Sequence, residues 1–287
     1  EDPNIRPEDI EALKEKWGLN DPFHVQYGKW LGNLIFHGDL GRSYQSQRPV
    51  LETWVERLPA TIQLNLIDFL LVYLLAIPLG VISAVRQYSW LDYGATTFSF
   101  LGYSMPEFWV GLMLIIGIAL RSNGAIPTSG YQSYDVTWET HTWLGIFLDR
   151  AKYMLLPVIT LVFGGMAALT RYMRNSMLEV LKEDYIRTAR AKGLAERIVI
   201  YKHALRNALL PIITISGAFV AGLFGGSIII ENVFAWPGVG QYAIGAVNSQ
   251  DHPVVMALLI FTFVINTIVS FSIEIVYVWV DPRIRYS

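Results

Sequence analysis

The sequence contains no cysteine, which excludes disulfides, thiolate nucleophiles and cysteine-ligated metals. Charge is also scarce. Asp, Glu, Lys and Arg make up 16% of the 287 residues, against about 25% in an ordinary soluble domain. A formal net charge of −2 leaves no basic excess for general nucleic-acid binding. The Gly28-Lys29 pair is followed by tryptophan, so no phosphate-binding loop of the GxxxxGKS/T kind is present. His24, His37, His141, His203 and His252 are scattered without metal-ligand spacing. Gly225-Gly226-Ser227 lacks the second glycine that a nucleophile elbow needs after its serine. Nucleotide, metal and serine chemistry therefore have no motif to carry them.

Apolar residues take the place of the missing charge, at 53% of the chain with a mean hydropathy of +0.38. They gather in stretches at about 60–85, 95–120, 152–171, 208–230 and 254–280. A hydrocarbon core of roughly 30 Å needs about 20 helical residues. The third stretch reaches that length when Lys152 and Arg171 snorkel at its ends. The runs are continuous rather than alternating, which predicts helices instead of a barrel. The expectation is an all-α polytopic membrane bundle with five spans in this chain.

Basic residues set the expected orientation. The 172–207 loop and its flank carry Arg171, Arg174, Lys182, Arg187, Arg190, Lys192, Arg197, Lys202 and Arg206. Against them stand Glu179, Glu183, Asp184 and Glu196, while the 231–253 loop has no lysine or arginine. The positive-inside rule then places the basic loop in the cytoplasm and the 231–253 loop outside. Counting spans puts 124–149 and 1–59 outside as well, and Arg283 and Arg285 end the chain inside. Residues 1–59 read as an external amphipathic segment, with Trp17, Phe23, Tyr27, Trp30, Leu31, Leu34 and Phe36 suited to a membrane interface. An external segment of this length must be translocated, so a preceding transmembrane helix or signal segment is expected.

The cytoplasmic loop reads from Glu183-Asp184-Tyr185-Ile186-Arg187-Thr188-Ala189-Arg190-Ala191-Lys192-Gly193 to His203-Ala204-Leu205-Arg206-Asn207-Ala208. This predicts a short helix, a glycine turn at Gly193 and a second helix feeding the next span. Ala189 and Ala191 are small enough for the helix to dock in a groove, where Arg187, Arg190 and Lys192 can meet acidic groups. The residues alone equally fit a basic loop lying on anionic headgroups.

This stretch resembles the EAA-type coupling loop of ABC importer permeases, in the branch of the dipeptide/oligopeptide (peptide/nickel) permeases. Leu19-Asn20-Asp21-Pro22, Gly38-Asp39-Leu40-Gly41-Arg42-Ser43, Arg57-Leu58-Pro59-Ala60-Thr61, the 231–240 segment and Asp281-Pro282-Arg283-Ile284-Arg285 resemble that family in the same order. Two features depart from it. Arg187 stands where the general motif has glutamate, and the family's first span is absent, so six spans are expected of the intact protein. The resemblance implies a type I importer permease domain over 60–287 and no catalysis by this chain. It implies coupling through Asp184, Tyr185, Arg187, Thr188, Ala189, Arg190, Ala191, Lys192 and Gly193. Implied partners are a paralogous permease, two subunits that bind ATP and magnesium, an external substrate-binding protein and the lipid bilayer. Peptides are the implied cargo, with oligosaccharides or nickel as alternatives.

Small residues recur at a spacing of four in Ala76, Gly80 and Ala84, and in Ala218, Gly222 and Gly226. Such stripes let membrane helices approach closely, either within the chain or at a dimer seam. Pro78, Pro106 and Pro157 permit kinks. Asp68, Glu107 and Glu274 fall in or beside apolar spans, where a charged residue usually faces a cavity or a partner. Asp68 and Glu107 are candidates for the substrate path, Glu107 the better of the two because similar permeases more often carry a small or apolar residue after that proline, and an acidic lining suits the ammonium end of a peptide or a basic side chain. A secondary transporter using these carboxylates, or an intramembrane enzyme using two of them, is the competing reading of the same residues.

Overall fold

The computed structural model describes residues 20–137 and 140–280, without the side chains of 274 and 276–280. Glu274 as a side chain, Trp17 and the 281–285 segment lie outside these described residues. Among the described residues helices make the fold, and the β-type contact is an isolated bridge between Arg42 and Pro49.

Helix α1 (Phe23–His37) has no buried residue. Phe23 and Phe36 are each 82% exposed among the described residues, although the sequence gives the helix an apolar face. Helix α2 (Val50–Val85) starts ten residues before the apolar run and carries Pro59 and Pro78 within it. The reason is local. Pro49 supplies an extended entry with ψ 132°, and the polar turns that follow lie above the lipid-soluble part. Ala76, Gly80 and Ala84 are buried along α2. A Cβ at Gly80 would come within 2.7 Å of Met173 Cβ, so this stripe is a close seam inside the chain.

The 95–120 stretch does not form one straight helix. It divides into α3 (Trp90–Ser104) and α4 (Glu107–Leu114, continued by a π turn at Ile115–Ala119), and the two parts meet at 99°. Pro106 causes the break. It has no N–H to offer the preceding turn and pushes Met105 out of helical geometry, to φ −86° and ψ 130°.

Helix α5 (Trp143–Val180) is 38 residues long, about 57 Å at 1.5 Å per residue. It packs against α2, α3 and α4. Half of its most apolar window is buried, the largest share of any span, which makes it the centre of the bundle. Beyond it come α6 (Asp184–Ala191) and an irregular helical stretch over 196–208 with a π turn at Val199–Ala204. Then follow α7 (Leu210–Gly225), α8 (Ile228–Val233), α9 (Val239–Asn248) and α10 (His252–Val280). α7 packs on α10 and α2, yet only 17% of the α7–α8 window and 22% of the α10 window are buried. Those apolar faces need lipid or another chain.

Candidate functional site

At one end of the bundle the side chains of α2 and α5 continue into the short helix α6. Ile186 (0% exposed) and Ala189 join Ala84, Met173, Met177, Val199, Ile200 and Ala204 in one apolar cluster. The remaining residues of α6 point away from it, and Asp184, Tyr185, Arg187, Thr188, Arg190 and Ala191 are exposed, as are Lys192 and Gly193. Ala189 therefore belongs to the inner face of α6, and only Ala191 of the two alanines offers a small side chain outward. Register explains the difference: Ile186 and Ala189 stand three apart, on one side of a helix, and Ile186 draws that side to the core.

The end of α6 is closed by backbone bonds that need glycine. Gly193 N–H donates to Arg190 O at 2.9 Å and Leu194 N–H to Ala189 O at 3.4 Å, with Gly193 at φ +73°. This is the paired capping pattern in which the residue after the cap is left-handed. Around it the charged groups are partly engaged with one another. Arg190 Nη2 donates to Glu196 at 2.7 Å and Arg187 Nη1 to Asp184 at 3.3 Å. The Arg190 guanidinium holds the Glu196 carboxyl below the usual carboxylate range. Tyr185 accepts a 2.9 Å bond from Asn207 Nδ2, tying α6 to the stretch that feeds α7. The result is a braced helix with a polar, two-sign outer face.

Immediately behind α6 lies a polar clamp that sequence reasoning did not find. Asp92, 2% exposed, accepts from Arg174 Nε at 2.6 Å, Arg174 Nη2 at 2.9 Å, Ser83 Oγ at 2.5 Å and Tyr88 N–H at 2.9 Å. It ties the ends of α2, α3 and α5 together. Nothing in the spacing of Asp92 and Arg174 announces a pair 82 positions apart.

The opposite end is organised by Glu231, which is fully buried. Its carboxylate accepts from Thr61 Oγ1 (2.9 Å) and from the N–H groups of Ser227 (3.2 Å), Gly240 (2.7 Å) and Gln241 (3.1 Å). Gly240 has no room for a side chain, since a Cβ there would lie 2.6 Å from Ile228 Cα. Trp236, buried beside it, donates Nε1–H to Ala60 O at 2.9 Å. Next to this knot, Asp251 accepts from Ser43 Oγ at 2.6 Å and Tyr44 N–H at 3.1 Å, and so anchors the segment before α2. Desolvation raises the Asp251 carboxyl, but these bonds together with those from Gln45 and Val254 outweigh it and hold the group below its ordinary value.

Between the two ends, α2 and α7 form a groove of about 280 Å³ lined by Asn65, Asp68, Phe69, Ala218, Phe219 and Gly222. Asp68 Oδ1 is buried without a hydrogen-bond partner. Ala218 and Gly222 are exposed, and no atom lies within 4 Å of a Cβ built at Gly222. Their face is thus open among the described residues. Gly226, at φ +80°, instead packs on Gly240 N at 2.7 Å from a built Cβ, and the glycine that packs α7 on α10 is Gly217, against Ile273. Glu107 rests over Gly164, its Oε1 3.0 Å from a Cβ built there. Among the described residues no group of three or more His, Cys, Asp or Glu side chains converges as a metal site.

Comparison with known families places this arrangement. The model described as "Binding-protein-dependent transport system inner membrane component" matches residues 76–286, and its N-terminal companion matches residues 3–65. The chain belongs to this family. Among curated relatives, the oligopeptide transport system permease protein AppB of Bacillus subtilis is 45% identical over 99% of this chain and 88% of its own length. The dipeptide transport system permease protein DppB of Escherichia coli K12 is 40% identical over 99% and 87%. Among solved structures, the inward-facing MetNI methionine ABC transporter matches 80% of this chain and 97% of that chain, with TM-score 0.60 and 17% identity. An amino acid ABC transporter matches with TM-score 0.54 and 13% identity. These likenesses show the fold of an ABC importer permease. The protein is a multi-pass inner-membrane transport component.

Proposed function

We propose that this chain is the permease subunit of an ATP-driven importer of peptides, with α6 as the element that seats in an ATPase partner. The single observation that carries the coupling role is the division of α6 into an inner face, Ile186 and Ala189, buried in the cluster with Met173 and Met177 of α5 and with Val199, Ile200 and Ala204, and an outer face of Tyr185, Arg187, Thr188, Arg190 and Ala191. A helix held by one face in a cluster that the 199–204 turn and the long central helix share moves with that end of the bundle. It therefore transmits displacement between an ATPase and the bundle. The peptide assignment draws on relatives named for oligopeptide and dipeptide transport.

The full transporter pairs this chain with a second permease, two subunits that bind ATP and magnesium, and an external binding protein. The α6 end faces the cytoplasm, and the Glu231 knot and α1 face outward. The open Ala218–Gly222 face of α7 borders the shared pathway or the partner permease, where small residues admit a close approach. Asp68 is the carboxylate that best suits the path, because it lines the α2–α7 groove with an unpartnered oxygen.

Cross-linking tests this reading in the assembled transporter. Because the native chain has no cysteine, Ala191→Cys should cross-link to cysteines in the ATPase groove, while Ala189→Cys should not. Gly193→Val should strain the left-handed turn by about 1–3 kcal/mol and lower peptide-stimulated ATPase and uptake together, with the protein still in the membrane. Unchanged uptake in Gly193→Val, or equal cross-linking at both alanines, would remove α6 from the coupling path.

A further inference from the structure

Beside the Asp92 clamp, at the α6 end of the bundle, a cavity of about 280 Å³ opens between α3 and α5. Thr96, Ser99, Phe100, Thr170, Arg171 and Arg174 line it. Two features set it apart from a packing defect. Ser99 and Thr170 are 5% and 1% exposed, and their hydroxyls have no hydrogen-bond partner. Buried hydroxyls left this way are costly, and helical Ser and Thr ordinarily bond back to the preceding turn. Arg171, at the mouth, makes no ion pair or hydrogen bond among the described residues. Arg174 commits Nε and Nη2 to Asp92, which balances its charge. The cavity is therefore left with one uncompensated cation, a set of hydroxyl donors and a half-open apolar rim at Phe100, 69% exposed.

We infer that this cavity binds the phosphate of an anionic phospholipid headgroup. A phosphate oxygen accepts from the hydroxyls and from Arg171 at once, and the volume exceeds several times the roughly 30 Å³ share of one water. The surroundings specify lipid rather than a soluble anion or a protein partner. The first turn of α3, at this end of the bundle, carries Trp90 and Tyr93 at 91% and 55% exposure. Bulky aromatic residues mark a membrane interface, whereas helix seams favour small ones. Basic pockets between spans near an interface are where headgroups are held. The site rests on the proposed orientation only in that the lipid would belong to the inner leaflet. Its effect would be to brace α3 on α5 directly behind the coupling helix.

Native mass spectrometry of the assembled transporter, released from nanodiscs of equal phosphatidylglycerol and phosphatidylcholine, tests it. The wild type should retain phosphatidylglycerol selectively. Arg171→Gln should weaken that retention about tenfold, the size of one charge-assisted hydrogen bond. Thr96→Trp, which fills the cavity from an exposed position, should abolish it, and Arg197→Gln, equally basic but outside the cavity, should leave it intact. Equal retention of the two lipids, equal loss in Arg197→Gln, or displacement by millimolar inorganic phosphate would overturn the lipid site. Peptide uptake measured on the same preparations separates the two proposals, since a complex that holds the lipid but moves no peptide counts against the function and not against the cavity.

Discussion

Asp68 and Glu107 are both acidic residues in apolar surroundings, and the structure gives them different environments. Asp68 sits in the α2–α7 groove with Oδ1 buried and unpartnered. Glu107 is exposed at the start of α4, beside the Pro106 break. From sequence, Glu107 is the better candidate of the two, yet the groove and its buried unpartnered oxygen belong to Asp68; hydropathy locates a charge along a span but not around it. If the groove receives a basic side chain of the peptide, neutralising its carboxylate removes an attraction that neutral and acidic peptides do not use. Asp68→Asn should therefore slow uptake of lysine-rich peptides about tenfold relative to neutral ones, equivalent to about 1.4 kcal/mol, with binding-protein affinity unchanged. Glu107→Gln should discriminate less. Uniform slowing across peptides in Asp68→Asn would make it a structural carboxylate. Gly193 shows the opposite case of legibility: a glycine after a short polar helix already implies a left-handed cap, since the requirement is local. The inward face of Ala189 was not legible, because it depends on the apolar cluster that Ile186 enters.

At the scale of elements, the apolar runs located the spans but not their ends or breaks. α2 gains ten polar-flanked residues at its start, and α5 extends well beyond its apolar part at both ends, since helix propensity continues where hydrophobicity stops. The 99° bend after α3 comes from one proline whose position was visible but whose effect depends on whether neighbouring helices hold the chain straight. Long-range polar ties were the least visible. The Asp92–Arg174 clamp joins three helix ends through a carboxylate that is 3% exposed and a guanidinium that is 22% exposed. Removing the cation leaves that carboxylate buried without its strongest partner, so Arg174→Ala should destabilise the detergent-solubilised protein by on the order of 3 kcal/mol. Asp92→Asn, which keeps hydrogen-bonding capacity for Ser83 and Tyr88, should cost less. Thermal unfolding followed by tryptophan fluorescence checks the order, and equal melting of wild type and Arg174→Ala would reduce the clamp to a surface pair.

For the whole molecule, the internal seams and the open faces divide cleanly. Small residues on α2 meet α5 within the chain, while Ala218 and Gly222 line an open groove and stay exposed among the described residues; the same spacing in sequence thus serves two different surfaces, which composition cannot separate. The open faces of α7 and α10 are apolar and the two ends of the bundle are polar, so the molecule is built to be completed by lipid around it and by other subunits at its faces. That completion has a direction. The α6 end gathers Arg171, Arg174, Lys182, Arg187, Arg190, Lys192, Arg197, Lys202 and Arg206, whereas the 231–253 loop has no lysine or arginine. By the positive-inside rule, the orientation expected is α6 inside and the Glu231 knot outside. Labelling of single cysteines in intact cells with a membrane-impermeant maleimide reads this directly. Ser133 is a poor probe position, because its N–H and hydroxyl both bond to Asp149. Tyr134, fully exposed, and Ser249, also exposed, are better ones. Tyr134→Cys and Ser249→Cys should react from outside, and Ala195→Cys, on the exposed turn after α6, only after permeabilisation. Reaction of Ala195→Cys in intact cells would turn the molecule over, move α6 to the side without ATP and remove the coupling role with it.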